Sequence, residues 1–418
     1  MSRCLVLVTT AFPFASGEPY LETEIPFLAE AFSRVLIFTI GLHPDRQTAL
    51  PLPENVTAYN CARLSPKQAR ALDTLHGASA ILLPPDVLPD DLNEAGRSPL
   101  RRAFLGYFCA RAERHAQEIE TILGQIDFSA FSETVVYGYW FFVAAAAVVR
   151  VSAALRQRGM RVTRVISRAH GYDLYPYANR LNYLPCRRTL LEALDAVYPC
   201  SQNGADFLRS RYPASAQKIR PAFLGTGGGA PQNGSADGTF RLLTCARTVP
   251  LKRLDRLVQT LCAMHPAQPI EWTHIGDGPE LPALKKGAQR LPDNITARFT
   301  GALPHTQVLD FYRTHPVDLF VLLSTREGLP VSVMEALSFG VPAVVTDVGG
   351  CTELIRDGEN GYVLPADFSN ALLQSTLERA MRQAQSMREA AFRTWQSRFT
   401  ADNFRLFADL LSDHSSEL

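Results

Sequence analysis

A chain of 418 residues with 42 Lys and Arg against 41 Asp and Glu has a formal charge of +1, which gives no bulk electrostatic case for a nucleic-acid partner. Hydrophobic residues make up 46% of it, and the length exceeds what one ordinary core fills, so two domains of about 200 residues are expected. Eight cysteines stand singly at 4, 61, 109, 186, 200, 245, 262 and 351, a pattern that argues against a disulfide framework or a zinc site and fits buried thiols in a reducing, cytoplasmic compartment.

The start, Met1-Ser-Arg-Cys-Leu-Val-Leu-Val-Thr-Thr10, lacks the apolar length and cleavage site of a signal peptide and reads as a first core strand. Further strands are predicted over 35–40, 135–139, 162–167, 196–201 and 219–224, with helices over about 20–32, 98–124, 141–158 and 187–194. Residues 44–97, rich in Pro, Asp and Ala, show no clear period, and Asp90-Asp91 reads as a Pro-flanked loop. The longest apolar tract, Val135 to Val149, has 15 residues and stops at Arg150, short of the roughly 20 that span a bilayer. From Arg150 to Arg188 there are nine arginines and one acid, Asp173. Solvated helix faces with one or two structural arginines explain such a run as well as contact with anionic lipid or a pyrophosphate-linked acceptor does, so a peripheral contact with the inner membrane surface stays open.

The stretch Gly225 to Gly238, with six glycines, cannot bury a core and reads as a linker. Beyond it strands at 240–247, 270–275, 295–300, 317–324 and 342–346 alternate with helices at 253–264, 279–290, 304–313 and 331–339, the pattern of a parallel sheet covered on both faces. A helical tail over 372–411 carries Trp395 and Phe399. The expected organisation is a first α/β domain over 1–225, a linker over 226–238, a second α/β domain over 239–385 and a tail over 386–418 packing back towards the first domain.

Two glutamates separated by seven residues, Glu327 and Glu335, straddle a loop and a helix start after the apolar run Val317 to Ser324. In strand, loop, helix units ligands bind beyond the carboxyl ends of the strands, and the free N–H groups of a helix start favour phosphate. Ser332-Val-Met-Glu335 also fits a capping box, in which Glu335 only closes the helix start. Gly340 stands where a helix ends.

The wider pattern, Glu327-Gly-Leu-Pro-x4-Glu335-Ala-x3-Gly340-x-Pro342 followed by Asp347-Val-Gly-Gly-Cys-Thr-Glu353 and Asp357-Gly358-x-Asn-Gly361, resembles the nucleotide-binding half of retaining glycosyltransferases of family 4. Ala246-Arg247-Thr-Val-Pro250-Leu-Lys252 and Ile275-Gly-Asp-Gly-Pro-Glu280 match upstream in the same order. The resemblance covers roughly 240 to 365. It implies an α/β protein of two Rossmann-like, doubly wound parallel-sheet domains facing a cleft, the architecture called GT-B.

It also implies roles. Arg247 and Lys252 would hold the donor diphosphate in place of a metal, and no D-x-D occurs in the chain, so no metal or other cofactor is expected. Glu327 would hold hydroxyls of the transferred sugar and Glu335 those of the ribose, since a carboxylate accepts two hydrogen bonds from a vicinal diol. Gly276, Gly278 and Ala302 would offer backbone to the nucleotide, and Gly328, Leu329 and Pro330 line the donor loop. In the first domain His170-Gly-Tyr-Asp173 resembles the family step whose histidine lies against the donor sugar. The first loop has one glycine, Gly17, where the family has two; Gly17 is expected to give its N–H to phosphate, with Glu18, Tyr20 and Asp173 on the acceptor side. The expected enzyme is a retaining, metal-independent transferase. It would move a sugar from a UDP- or GDP-type donor to a glycan or lipid-linked acceptor on the cytoplasmic side of a bacterial envelope. A nucleotide-sugar epimerase, a phosphorylase and a non-catalytic sugar-nucleotide-binding subunit are the alternatives.

Overall fold

Runs such as Cys4-Leu-Val-Leu-Val8 are buried at every position, as strands of a parallel sheet covered on both faces must be. The computed structural model describes residues 2–413 apart from Ser16, Pro19, Thr48 and 81–86. It divides into two units, Met1–Ala222 with Phe404–Leu418, and Phe223–Asn403.

The first unit runs β1 (Arg3–Thr9), α1 (Tyr20–Ala31), β2 (Arg34–Thr39), β3 (Val56–Asn60), α2 (Pro66–Ala80), α3 (Pro89–Ala95), α4 (Pro99–Leu123), β4 (Glu133–Gly138), α5 (Val143–Gln157), β5 (Val162–Ala169), α6 (Arg187–Ala193), β6 (Ala196–Pro199) and α7 (Gln202–Arg211). Its parallel sheet has the order β3-β2-β1-β4-β5-β6, with Leu5 level with Val35 on one side and Val135 on the other. Apolar clusters cover the two faces, one built on Val6 and Val8, the other on Leu5 and Leu7.

Three local expectations need correction. Residues 44–97 hold β3, α2 and α3; β3 is an edge strand with only Val56 buried, so it lacks an apolar signature. Asp91 lies in α3, not in a loop; it is 1% exposed and accepts from the N–H groups of Arg188 (3.0 Å) and Thr189 (2.7 Å) at the start of α6. Residues 219–224 form only an isolated bridge, Val197 to Ile219: Arg220 and Ala222 donate to the carbonyls of Val197 (3.0 Å) and Pro199 (2.9 Å), but Pro199 has no N–H to donate back and continue a ladder.

The basic stretch is largely held inside the unit. Arg168 and Arg187 are buried, Arg164 donates to the carbonyls of Leu410 and Asp413, and Arg150 and Arg161 face Glu113 and Glu133. Among the described residues no helix is long and apolar enough to cross a membrane.

The second unit runs β7 (Phe240–Cys245), α8 (Leu254–Ala263), β8 (Ile270–Ile275), α9 (Leu281–Ala288), β9 (Ile295–Gly301), α10 (His305–Thr314), β10 (Leu319–Leu322), α11 (Val331–Ser338), β11 (Ala343–Thr346), α12 (Cys351–Leu354), β12 (Gly361–Leu364) and α13 (Asn370–Arg398). Its parallel order, β12-β11-β10-β7-β8-β9, is that of the first sheet counted from its own first strand. Each sheet therefore reverses direction between its first and fourth strands, β1/β4 and β7/β10, and the crevice beyond that point is where such sheets bind ligands. The last helix, α14 (Asp402–Ser412), sets Phe407, Ala408 and Leu411 into the core of the first unit.

The expected linker over 226–238 is part of the second unit instead. Thr226 bridges to Thr400 and accepts from the Trp395 indole at 2.9 Å. Ser235 donates its N–H to Asp318 at 2.8 Å, and Arg388 donates to the Gln232 carbonyl at 2.8 Å. No boundary falls at 385, which lies inside α13.

Candidate functional site

At the reversal in the second unit, the loop after β7 carries Arg247 and Lys252 and the loop after β10 carries Glu327. Two features tie these loops together, and a third braces the first of them. The Thr325 N–H donates to the Leu251 carbonyl at 2.9 Å. Arg253 adopts a left-handed conformation (φ 49°) and its guanidinium donates to the carbonyls of Leu323 (2.5 Å), Ser324 (2.9 Å) and Ala366 (2.7 Å). Buried His274 accepts or donates at both ring nitrogens, to Thr244 (2.9 Å) and to Thr248 in the first loop (3.0 Å). Burial lowers the His274 pKa to about 4, so it is a neutral strut at ordinary pH.

On this frame Lys252 Nζ lies 2.5 Å from Glu327 Oε1, the side chains being 18% and 14% exposed. Arg247 is exposed on the same loop. The backbone beneath Glu327 is pressed against the turn after β11: the Gly350 N–H donates to the Gly328 carbonyl at 2.7 Å, and a Cβ on Gly349 (φ 55°) would stand 2.0 Å from the Glu327 carbonyl oxygen. Leu329 and Pro330 are buried where the loop turns into α11.

The capping-box alternative for Glu335 is not formed. The N-cap of α11 is Pro330, without a side-chain cap, and Glu335 Oε1 instead meets His305 Nε2 at 2.7 Å. Burial raises the Cys245 pKa to about 12, with the charge of Glu335 adding to the rise and that of Lys252 opposing it; one thiol at the end of β7 thus senses both groups. Gly340 (φ 69°) ends the helix as expected, its N–H donating to the Leu337 carbonyl at 2.9 Å.

Gly276 and Gly278 are required for protein packing. A Cβ would fall 1.9 Å from the Ala246 carbonyl oxygen at the first and 2.4 Å from that of Thr248 at the second, so these glycines let the turn after β8 lie against the Arg247 loop. Ala302 is exposed just after β9.

In the first unit the loops after β1, β4 and β5 converge in the same way. Asp173 is buried and accepts from the N–H groups of His170, Gly171 and Phe141, each at 2.9 Å. Burial opposes its ionisation, yet the neighbouring His170 and these N–H groups hold its pKa below the usual carboxylate value. Its acceptor-side placement is therefore corrected: Asp173 shapes the turn that carries His170. The His170 ring lies 4.5 Å from that of Trp140 and 4.7 Å from that of Tyr139, and Nδ1 is 3.9 Å from Asp173 Oδ2.

Glu18, also expected on the acceptor side, is turned inward and 2% exposed. Oε1 accepts from Thr10 N (2.9 Å), Thr10 Oγ (2.8 Å) and the Trp140 indole; Oε2 accepts from the N–H groups of Ala11 and Phe12 (2.7 Å each). The carboxylate sits in the nest of backbone N–H groups at the end of β1 that would otherwise suit a phosphate. Gly17 is exposed (φ 148°), and Tyr20 is half-buried at the start of α1. Sequence reasoning missed Glu24 and Arg168, a fully buried ion pair at 2.9 Å behind His170, along with Arg253, His274 and His305.

Residues 230–393 match the model of the family described as glycosyl transferases group 1. The second unit is similar to group 1 glycosyltransferase domains. The O-antigen biosynthesis glycosyltransferase WbnH of Escherichia coli is 34% identical over 166 residues, 40% of this chain and 44% of that protein. The GDP-mannose-dependent α-(1-6)-phosphatidylinositol monomannoside mannosyltransferase of Mycolicibacterium smegmatis is 26% identical over 314 residues, 68% of this chain and 77% of that one. The chain thus spans less than half the length of the first curated relatives it matches. The solved sucrose-phosphate synthase of Thermosynechococcus elongatus shares the fold, with a TM-score of 0.68 at 17% identity over 98% of each chain. The architecture is GT-B.

Proposed function

We propose that the protein is a retaining, metal-independent glycosyltransferase. It moves a sugar from a UDP- or GDP-type nucleotide-diphosphate sugar to a glycan or lipid-linked acceptor in cell-envelope or extracellular polysaccharide synthesis. The observation that carries this reading is the Lys252–Glu327 pair at 2.5 Å, standing at the sheet reversal of a unit similar to group 1 domains. Eight free cysteines suit a cytoplasmic setting.

Breaking the bond between sugar carbon and phosphate oxygen adds negative charge to the leaving diphosphate. Fixed cations there stabilise the transition state more than the ground state. Arg247 and Lys252 supply that charge, and Glu327, which neutralises Lys252 before substrate arrives, holds hydroxyls of the transferred sugar. Glu335 takes the ribose diol. The acceptor hydroxyl forms the new bond on the face the diphosphate leaves, and its proton passes to the leaving phosphate, so configuration is kept.

The test is release of UDP or GDP from a panel of nucleotide sugars with EDTA present, for the native enzyme and for Lys252→Ala. Turnover is expected to persist in EDTA, and the variant is expected to lose roughly 10²–10³ in kcat, the loss seen on removing one preorganised charge-stabilising donor. A variant within threefold of the native rate refutes the site, and turnover that needs added metal refutes metal independence.

A further inference from the structure

We propose that His305 is a positioning residue for nucleotide recognition: it holds the Glu335 carboxylate in the orientation that takes the ribose diol. This rests on the reading that Glu335 binds the ribose. His305 opens α10, three residues after exposed Ala302, and Glu335 lies in the second turn of α11. The contact of His305 Nε2 with Glu335 Oε1 at 2.7 Å therefore joins the chain leaving β9 to the helix that follows β10.

Burial makes the contact matter. The Glu335 side chain is 7% exposed against 35% for His305, and a carboxylate so buried needs a hydrogen-bonded partner to stay charged. Cys245 and Tyr312 both have pKa values raised by burial and by the Glu335 charge, so each stays neutral and neither supplies a positive charge to the carboxylate. With Oε1 fixed by the imidazole, Oε2 is presented to a ligand hydroxyl in one orientation. Without it the side chain would lose its rotamer restraint, and the ribose contact would weaken with it.

The experiment measures dissociation constants of UDP, GDP and their 2′-deoxy counterparts for the native protein, Glu335→Ala, His305→Ala and His305→Gln. A hydrogen bond to a charged group corresponds to roughly a tenfold or larger preference, so the native protein is expected to favour the ribonucleotide by about that factor. Glu335→Ala should remove the preference, and His305→Ala should cut it at least threefold. His305→Gln, which can still donate to Oε1, should restore most of it. The double variant should discriminate no less than Glu335→Ala alone. His305→Ala with full discrimination, while Glu335→Ala has lost it, overturns the role of His305. Full discrimination in Glu335→Ala overturns the ribose reading instead. If His305→Ala fails to fold, discrimination lost in a folded His305→Gln counts against the proposal, since the donor is still present.

Discussion

Replacing Glu18 by Gln tests whether this carboxylate builds the loop after β1 or faces a substrate. Two oxygens accept five hydrogen bonds: Thr10 N, Thr10 Oγ and the Trp140 indole on Oε1, and the N–H groups of Ala11 and Phe12 on Oε2. An amide offers one oxygen. If it takes the place of Oε2, the new NH₂ faces the N–H of Thr10 and of Trp140, while the Thr10 hydroxyl can turn to accept; if it takes the place of Oε1, the NH₂ faces the N–H groups of Ala11 and Phe12. Either way two donors lose their acceptor at a site 2% exposed. At about 1–3 kcal/mol for each buried donor left unmade, the first unit should lose roughly 2–6 kcal/mol. Denaturant unfolding followed by hydrogen exchange over residues 9–25 reads this unit apart from the other, and Trp140 should become more mobile. A loss below about 0.5 kcal/mol, the range of an ordinary surface change, accompanied by a higher acceptor KM, would refute the loop-building role.

Two more outcomes follow from the second unit. Gly349→Ala places a Cβ 2.0 Å from the Glu327 carbonyl oxygen at a φ of 55°, so the loop must shift; turnover should fall at least tenfold while circular dichroism stays native, and unchanged turnover would show that the loop yields freely. His274 has its pKa lowered from 6.5 to about 4 by burial. Since the unfolded chain binds this proton more readily, the stability of the unit is full above pH 6.5, falls as pH drops towards 4 and levels off below. The whole loss is about 3 kcal/mol at 1.36 kcal/mol per unit. An NMR titration of the imidazole should find it neutral at pH 5, and a midpoint at 6 or above would contradict the neutral strut.

Legibility differed between the sheets for physical reasons. The strand expected at 270–275 is β8 residue for residue, because Pro269 and Gly276 punctuate it on both sides between two helical segments. Edge strands escaped: β3 buries one side chain of five, and β12 follows a turn region that reads as motif. In the site, Lys252 and Glu327 were legible because fixed words surround them, whereas His305, Arg253 and His274 act through partners 26 to 113 positions away, which no local period encodes. Glu18 is the reverse case. Its partners lie within eight residues except Trp140, but a carboxylate beside a glycine reads equally well as a ligand group or as an internal anion until its burial is known.

The glycine-rich stretch shows what composition leaves undecided. Glycine has two uses, freedom of the backbone and close approach to another group, and low apolar content suggests only the first. In the chain as folded the second applies: an added Cβ would meet the Thr400 carbonyl oxygen at 2.0 Å from Gly225, the Trp395 ring at 2.6 Å from Gly228 and the Phe339 ring at 2.3 Å from Gly229. The deciding information is in those distant partners, since Trp395 is one of the two aromatic residues that the sequence places in the helical tail. A bare strip of backbone is the surface it packs on, and Phe339, at the end of the helix that carries Glu335, is covered by the same strip. The segment is therefore part of the packing of the second unit, and its glycines serve α11 and α13.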